Sequence, residues 1–330
     1  LLFVSKKEID RKILSQHPQF PSVALSTIGW TGVGLRTPAF LLKLWNSLGE
    51  SRTELKKFGA EAVVGMGGFT CAPPLHEARR LKLPTLLHES NSIPGKVTRW
   101  LSGRVDRVLL GIEDCASHLP GARTVVTGTP VRTSLVRKDP REARVALGLK
   151  PDLLTVAVMG GSQGALGLNE MMLRAVADLR GMASHMQVIH LTGPTDQGLM
   201  LANYQRAGIH AEVIPFCHEM EKVYSAADLV VARSGASSLA EISYYGLPSI
   251  LIPFPEAAED HQTRNAEVFV RKGAALLVVQ DRHNGGPLAA ALRPLLENAV
   301  ARNGMARQAA GVMPAEATDR IIKELEDVIA

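Results

Sequence analysis

Short runs rich in Val, Ile and Leu recur along the whole chain, with amphipathic stretches between them. In the first half they are LLFVS (1–5), PSVALSTI (21–28), AEAVVGMG (60–67), PTLLHES (84–90), DRVLLGI (106–112) and TVVTGTP (124–130). In the second half they are LLTVAVMG (153–160), MQVIHLTG (186–193), AEVIPF (211–216), DLVVARS (228–234), PSILIPF (248–254) and AALLVVQ (274–280). Runs apolar on both faces predict strands of parallel sheets covered on both sides, since a strand half in water would alternate. The stretches between them, such as KKEIDRKILS, PPLHEARRLK and GKVTRWLSG, carry helical spacing. The pattern predicts the α/β class with doubly wound, Rossmann-like sheets.

A charged, proline-marked stretch, KDPREARVALGLKPD (138–152), separates two complete series. Two domains are therefore expected, 1–142 and 143–316, with ligands at the carboxyl ends of the strands, facing the cleft between them. The tail, ATDRIIKELEDVIA (317–330), places Ile321, Ile322, Leu325, Val328 and Ile329 on one helical face, which is expected to pack on the first domain. A length of 330 residues suits two such domains, and 46% hydrophobic with 21% charged residues fits a globular chain rather than a disordered one.

The formal charge of +5 is mild and scattered. It suits an anionic ligand or an anionic membrane surface; with no basic run studded by aromatics, nucleic acid is not expected. Cys71, Cys115 and Cys217 are few and far apart, which suggests a reducing compartment. No stretch reaches eighteen apolar residues, so no membrane-spanning helix is predicted.

The chemical signals lie at strand ends. Gly160-Gly161-Ser162-Gln163-Gly164-Ala165 joins a strand to a helix. Glycines let the backbone approach a ligand closely, and a helix start presents free N–H groups to an anion. The turn is not a Walker loop, and Met159 replaces the first glycine of a dinucleotide fingerprint. A ligand-free tight turn is the plainer alternative.

A second turn is Arg233-Ser234-Gly235-Ala236-Ser237-Ser238, followed by Leu239-Ala240-Glu241. Ser238 and Glu241 have capping-box spacing, with Ser238 as N-cap. Alternatively Glu241 accepts hydrogen bonds from neighbouring hydroxyls, as on a ribose. A third cluster, Asp260-His261-Gln262-Thr263-Arg264-Asn265, places two amides on one helix face, where they suit sugar hydroxyls, or is simply a solvated helix start.

In the first half, Gly67 and Gly68 follow one strand, and His88-Glu89-Ser90-Asn91 ends the next. His88 continues an apolar strand and reads as structural. Arg132, after Thr129-Pro130-Val131, is fit to meet a phosphate. Residues 29–47 carry Trp30, Leu35, Phe40, Leu41, Leu44 and Trp45 with Arg36 and Lys43 among them, a composition that suits an anionic bilayer surface or a core helix. No grouping has metal-ligand spacing.

GMGGFTCAP, LLHESNSIPG, GTPVR, MGGSQGA, RSGASSLAEI running to YYGLP, and DHQTRNA resemble, in order and spacing, the MurG family of glycosyltransferases over nearly the whole chain. The resemblance implies the glycosyltransferase B fold. It also implies transfer of N-acetylglucosamine from UDP-N-acetylglucosamine to lipid I, giving lipid II, at the cytoplasmic face of the bacterial inner membrane, without an obligate metal. It assigns the donor pyrophosphate to Ser162, Gln163 and Gly164 with help from Arg132, and uracil to the strand end at Cys217. Ala236, Ser237, Ser238, Leu239, Ala240 and Glu241 would cover the nucleotide, with Glu241 on the ribose. Gln262, His261 and Asn265 would meet the sugar. Asn91 would face sugar and acceptor, with Gly67, Gly68 and Glu89 on the acceptor side. The polyprenyl chain of the acceptor gives the 29–47 stretch a role at the membrane.

The family opens on a strand, a Gly-Gly-Thr-Gly-Gly-His loop and a helix that have no counterpart in this sequence. The expectation is a truncated product that binds donor weakly and transfers poorly, with the family's candidate base histidine in the absent loop and no catalytic residue assigned. Open alternatives are a related glycosyltransferase with another UDP-sugar or lipid acceptor, a dinucleotide-dependent oxidoreductase, and a non-catalytic donor-binding form.

Overall fold

The computed structural model describes residues 1–26, 37–161 and 165–330. The chain forms two compact units, residues 1–127 with 318–330, and residues 128–317. The join expected near residue 143 thus lies inside the second unit. Asp139 caps the helix Pro140–Ala146, accepting from the Arg141 and Glu142 amides. Arg144 on that helix is buried, donating to Ala226 O at 2.9 Å, Pro151 O at 2.8 Å and Asp228 Oδ2 at 2.8 Å. Asp228 also accepts from the Thr155 amide, so the helix is bound to the amino ends of that unit's strands.

In the first unit β1 (Leu2–Ser5) and β2 (Ser22–Leu25) flank α1 (Glu8–Ser15) and pair in parallel as a sheet of their own. After α2 (Thr37–Phe58) comes a second parallel sheet of β3 (Val63–Gly65), β4 (Thr85–Glu89), β5 (Arg107–Leu110) and β6 (Thr124–Val126), in that order. The helices α3 (Ala72–Arg80) and α4 (Lys96–Leu101) connect its strands. β1 and β3 do not pair; Phe3 and Val63 instead line a cavity of about 240 Å³. Leu75, Leu87, Leu101, Val108 and Leu110 centre the core. The C-terminal helix runs over Ala317–Ile329, and Arg107 of β5 pairs with its Glu324 and Asp327.

The second unit opens with α5 (Pro140–Ala146). Its strands are β7 (Leu154–Met159), β8 (Met186–Leu191), β9 (His210–Ile214), β10 (Leu229–Ala232), β11 (Ser249–Leu251) and β12 (Ala275–Leu277). They form one parallel sheet in the order β12-β11-β10-β7-β8-β9. The helices are α6 (Leu166–Asp178), α7 (Gln197–Ala207), α8 (Met220–Ala226), α9 (Ala236–Tyr245), α10 (His261–Arg271), α11 (Gly286–Glu297) and α12 (Ala299–Ala309), which makes the helix at Ala317–Ile329 α13.

The order reverses at β7 and β10, the place where an open α/β sheet leaves a crevice at its carboxyl edge. β7 and β8 are nearly or wholly buried along their length, as two-sided apolar runs require. His190 on β8 is fully buried between Tyr204 Oη and Asn169 Oδ1, at 3.0 and 3.1 Å. Asn169 also donates to Thr192 O and Asp196 Oδ2, fastening the first turns of α6 to the sheet.

Candidate donor and acceptor sites

A cavity of about 480 Å³ lies at the carboxyl edge of the six-stranded sheet, lined by Gly160, Gly161, Arg233, Ser238, Gln262 and Gln280 among others. Gly161 sits at φ +96°, open only to glycine without strain. The expected pyrophosphate residues Ser162, Gln163 and Gly164 lie outside the described residues. The first residues of α6, Leu166 and Gly167, line the cavity with Gly235 at the start of α9. Both helix starts offer N–H groups without intrahelical partners.

The capping-box reading of Ser238 is overturned. Gly235 is the N-cap of α9, and the helix begins at Ala236, two residues before Ser238. Glycine also suits an N-cap, and the earlier start leaves Ser238 and Glu241 inside the helix. Glu241 instead accepts at Oε2 from Tyr224 Oη at 2.6 Å, while Arg132 Nη2 lies 3.3 Å from Oε1. Tyr224 comes from α8 and is buried. Burial, then the Glu241 charge, push its hydroxyl pKa well above the usual phenol value. Leu239 and Ala240 are buried, Ser237 is exposed, and Ser238 is half-buried on the cavity lining.

Gln262, in the first turn of α10, accepts at Oε1 from the Phe254 amide at 3.0 Å, which fixes its side chain on the lining. Its backbone oxygen accepts from Ser234 Oγ. Asn265 is fully buried and donates to Ser234 O at 3.2 Å, binding α10 to the end of β10. His261 starts α10 and is half-buried. Cys217 lies in the loop after β9, half-buried, and burial raises its thiol pKa. Sequence reasoning assigned no role to Tyr224, Arg233 or Gln280. Arg233 stood within a quoted turn, but nothing local reveals what its side chain meets.

The first unit holds the remaining expected residues. Glu89 ends β4 buried and accepts four hydrogen bonds: Asn91 N and Nδ2 on Oε1, and Gly95 N and Thr98 Oγ1 on Oε2. That arrangement makes it the organiser of the 90–98 loop, with Asn91 held on it. His88 is fully buried, its Nδ1 3.3 Å from Ser90 Oγ. Gly67 and Gly68 take φ +81° and +72°, which turns the chain from β3 into the short 3-10 helix Phe69–Cys71.

Trp30 and Leu35 lie outside the described residues, as does the side chain of Phe40. On α2, Leu41, Leu42 and Trp45 are exposed, Trp45 to 76%. Leu44 lines an almost wholly apolar cavity of about 560 Å³ with Phe69, Pro73, Val97 and Trp100. Trp100, 48% exposed, was missed in the sequence, where α4 showed only as a helical pattern. Among the described residues no helix is long and apolar enough to cross a membrane, and no three His, Cys, Asp or Glu residues are grouped to hold a metal ion.

Two α/β units with a glycine-lined crevice on the second define a chain of the doubly wound α/β class, with its ligand crevice at the carboxyl edge of the sheet. The family model of the glycosyltransferase family 28 N-terminal domain matches residues 2–110, and that of its C-terminal domain matches residues 155–324. The chain belongs to glycosyltransferase family 28 and, within it, to the MurG group.

Similar relatives carry the name UDP-N-acetylglucosamine--N-acetylmuramyl-(pentapeptide) pyrophosphoryl-undecaprenol N-acetylglucosamine transferase. One from Prochlorococcus marinus is 39% identical, over 86% of this chain and 78% of its own. One from Desulfotalea psychrophila is 34% identical over 100% and 88%. The crystal structure of Acinetobacter baumannii MurG superposes with a TM-score of 0.78 at 25% identity, over 98% of this chain and 90% of that one. A putative UDP-N-acetylglucosamine 2-epimerase from Listeria monocytogenes, 15% identical at a TM-score of 0.69, shares the fold.

Proposed function

We propose that this chain transfers N-acetylglucosamine from UDP-N-acetylglucosamine to the 4-hydroxyl of the N-acetylmuramoyl group of lipid I, forming lipid II at the cytoplasmic face of the bacterial inner membrane. The observation that carries the reading is Glu241, a carboxylate fixed by Tyr224 and Arg132 one turn into α9, a helix whose start lines the glycine-rich cavity. A fixed carboxylate suits the paired hydroxyls of a ribose, and the helix starts suit a diphosphate. The names carried by the relatives support the choice of donor and acceptor.

The reaction is a single displacement with inversion. The acceptor oxygen forms a bond to the anomeric carbon as the bond to the β-phosphate oxygen breaks, and the acceptor's proton passes to a base. No residue of this chain is assigned as that base. Charge builds on the leaving UDP, where the helix N-termini stabilise it without reorganising. In this reading no metal bridges the phosphates. Asn91, Gly67 and Gly68 serve the acceptor side, Glu89 through the loop it organises. Leu41, Leu44, Trp45 and Trp100 rest on the anionic membrane surface, with Lys96 beside them on the cavity lining.

Transfer from radiolabelled UDP-N-acetylglucosamine to lipid I in mixed micelles tests the reading, with UDP-N-acetylgalactosamine and diacylglycerol as rival donor and acceptor. The expected product is labelled lipid II, lost about 10- to 100-fold in Glu241→Ala, the effect of one or two charge-assisted hydrogen bonds. Preferential labelling of diacylglycerol, or preference for the rival donor, would refute it.

A further inference from the structure

The donor cavity contains a charge that the proposed chemistry leaves unused. Arg233 follows β10 and is only 7% exposed. Its Nη1 donates to Ile252 O at 2.9 Å and Pro253 O at 3.0 Å, and its Nη2 to Gln280 Oε1. The guanidinium carbon lies 5.6 Å from the Phe254 ring centroid. Every one of these partners is neutral. Among the described residues no carboxylate lies within ion-pair distance of Arg233. Burial lowers its pKa to about 10, so it stays protonated at neutral pH.

A guanidinium has five N–H donors, and the bonds above account for three of them. Nε–H and one Nη2 proton remain for a ligand. A desolvated cation without a counter-ion is an unfavourable arrangement unless an anion completes it. The cavity that Arg233 lines is also where α6 and α9 begin, and both helix starts favour negative charge. Glu256 is also on the lining, and Arg282 there is paired with Glu170. Arg132, by contrast, directs its guanidinium to Glu241 and is mostly exposed.

We propose that Arg233 is the charge partner of the donor's diphosphate, and that Arg132 serves the nucleotide by holding Glu241. The proposal rests on reading this unit as the UDP-sugar site. The bound diphosphate supplies the counter-ion that Arg233 lacks. As the sugar departs, the growing charge on the β-phosphate meets a cation already fixed by two carbonyls and an amide, which stabilises the leaving group without reorganisation.

Calorimetric titration of the intact chain with uridine, UMP and UDP separates the two ideas. The unaltered chain is expected to prefer UDP to uridine; no such preference refutes the UDP-sugar reading itself, whatever Arg233 does. In Arg233→Gln, UDP binding should weaken about 10- to 100-fold while uridine binding changes by less than about threefold. Arg233→Lys, which keeps the charge, should restore part of the preference. Equal weakening of both ligands, with Lys no better than Gln, would make Arg233 a brace for the loop after β11 and overturn the proposal. So would unchanged UDP affinity in Arg233→Gln. If that variant does not fold, Gln280→Glu gives Arg233 a near-isosteric internal counter-ion. UDP binding should then weaken with uridine spared, and unchanged UDP affinity would again overturn the proposal.

Discussion

Replacing Tyr224 by Phe removes one hydroxyl and little else. The ring stacks on Tyr245 with centroids 5.1 Å apart and planes 25° apart, and Phe keeps that packing. What is lost is the 2.6 Å hydrogen bond to Glu241 Oε2. A bond to a charged acceptor contributes about 1.5–3 kcal/mol. The carboxylate retains Arg132, an exposed partner worth roughly 0–1 kcal/mol. Its own side chain is 16% exposed, so water replaces part of the lost bond. The expected loss of stability, read by urea denaturation, is therefore about 1–2 kcal/mol. The functional consequence is more specific. If Glu241 holds the ribose as proposed, freeing it to rotate loosens that grip, and UDP binding should weaken about 3- to 10-fold. On the proposed ribose role, the 2′-deoxy analogue already lacks one of the hydroxyls assigned to Glu241 and should weaken much less. The preference for UDP over 2′-deoxy-UDP should shrink accordingly. If both ligands weaken equally, or the preference survives the stability loss intact, Tyr224 does not act through Glu241 and the ribose assignment fails with it.

Other outcomes follow from the same geometry. Trp45→Ser and Trp100→Ser should each lower partition onto anionic vesicles on the order of tenfold, measured by sedimentation; unchanged binding places the membrane contact elsewhere. His190 is held neutral by burial, its pKa lowered to about 3. The unfolded chain gains a proton below about pH 6.5 that the folded chain refuses, so stability should fall as pH drops from 6.5 toward 3, by up to about 1.4 kcal/mol per unit. His190→Gln should flatten that slope, and an unchanged slope would assign it to other groups. Arg144→Ala leaves Asp228 without its cation and two carbonyls without their donor, and should cost about 3–5 kcal/mol in a denaturant melt, where a loss below 1 would refute the bracing role. A chelator should leave transfer unchanged; a strict divalent-metal requirement would contradict the proposed stabilisation of UDP.

The strands were legible because their burial is two-sided: MQVIHL has no polar face to hide, and β8 is buried at every residue. The glycine turns were legible for a similar reason, since backbone that must turn at a strand end needs Gly161. What the sequence concealed was tertiary. Ser-x-x-Glu at 238–241 fits a capping box, but Gly235 three residues earlier can also serve as an N-cap, and local spacing cannot choose between the two. Glu241 finds Tyr224 on another helix, and Arg233 finds carbonyls after a different strand, with no periodic signal to announce either contact. The separation of β1–β2 from β3–β6 was equally hidden, because a strand's apolar pattern does not say which neighbour it pairs with.

Glu89 has a consequence for the thermodynamics of binding. Ordering a flexible residue's backbone on binding costs roughly 1–2 kcal/mol in conformational entropy. The four bonds that converge on this carboxylate hold Asn91, Gly95 and Thr98 in place before any ligand arrives. That entropy is lost once, during folding, and is not lost again at each encounter. A ligand meeting Asn91 would therefore bind to a loop already in its final form, with a smaller entropic penalty than a segment that folds around its ligand would incur.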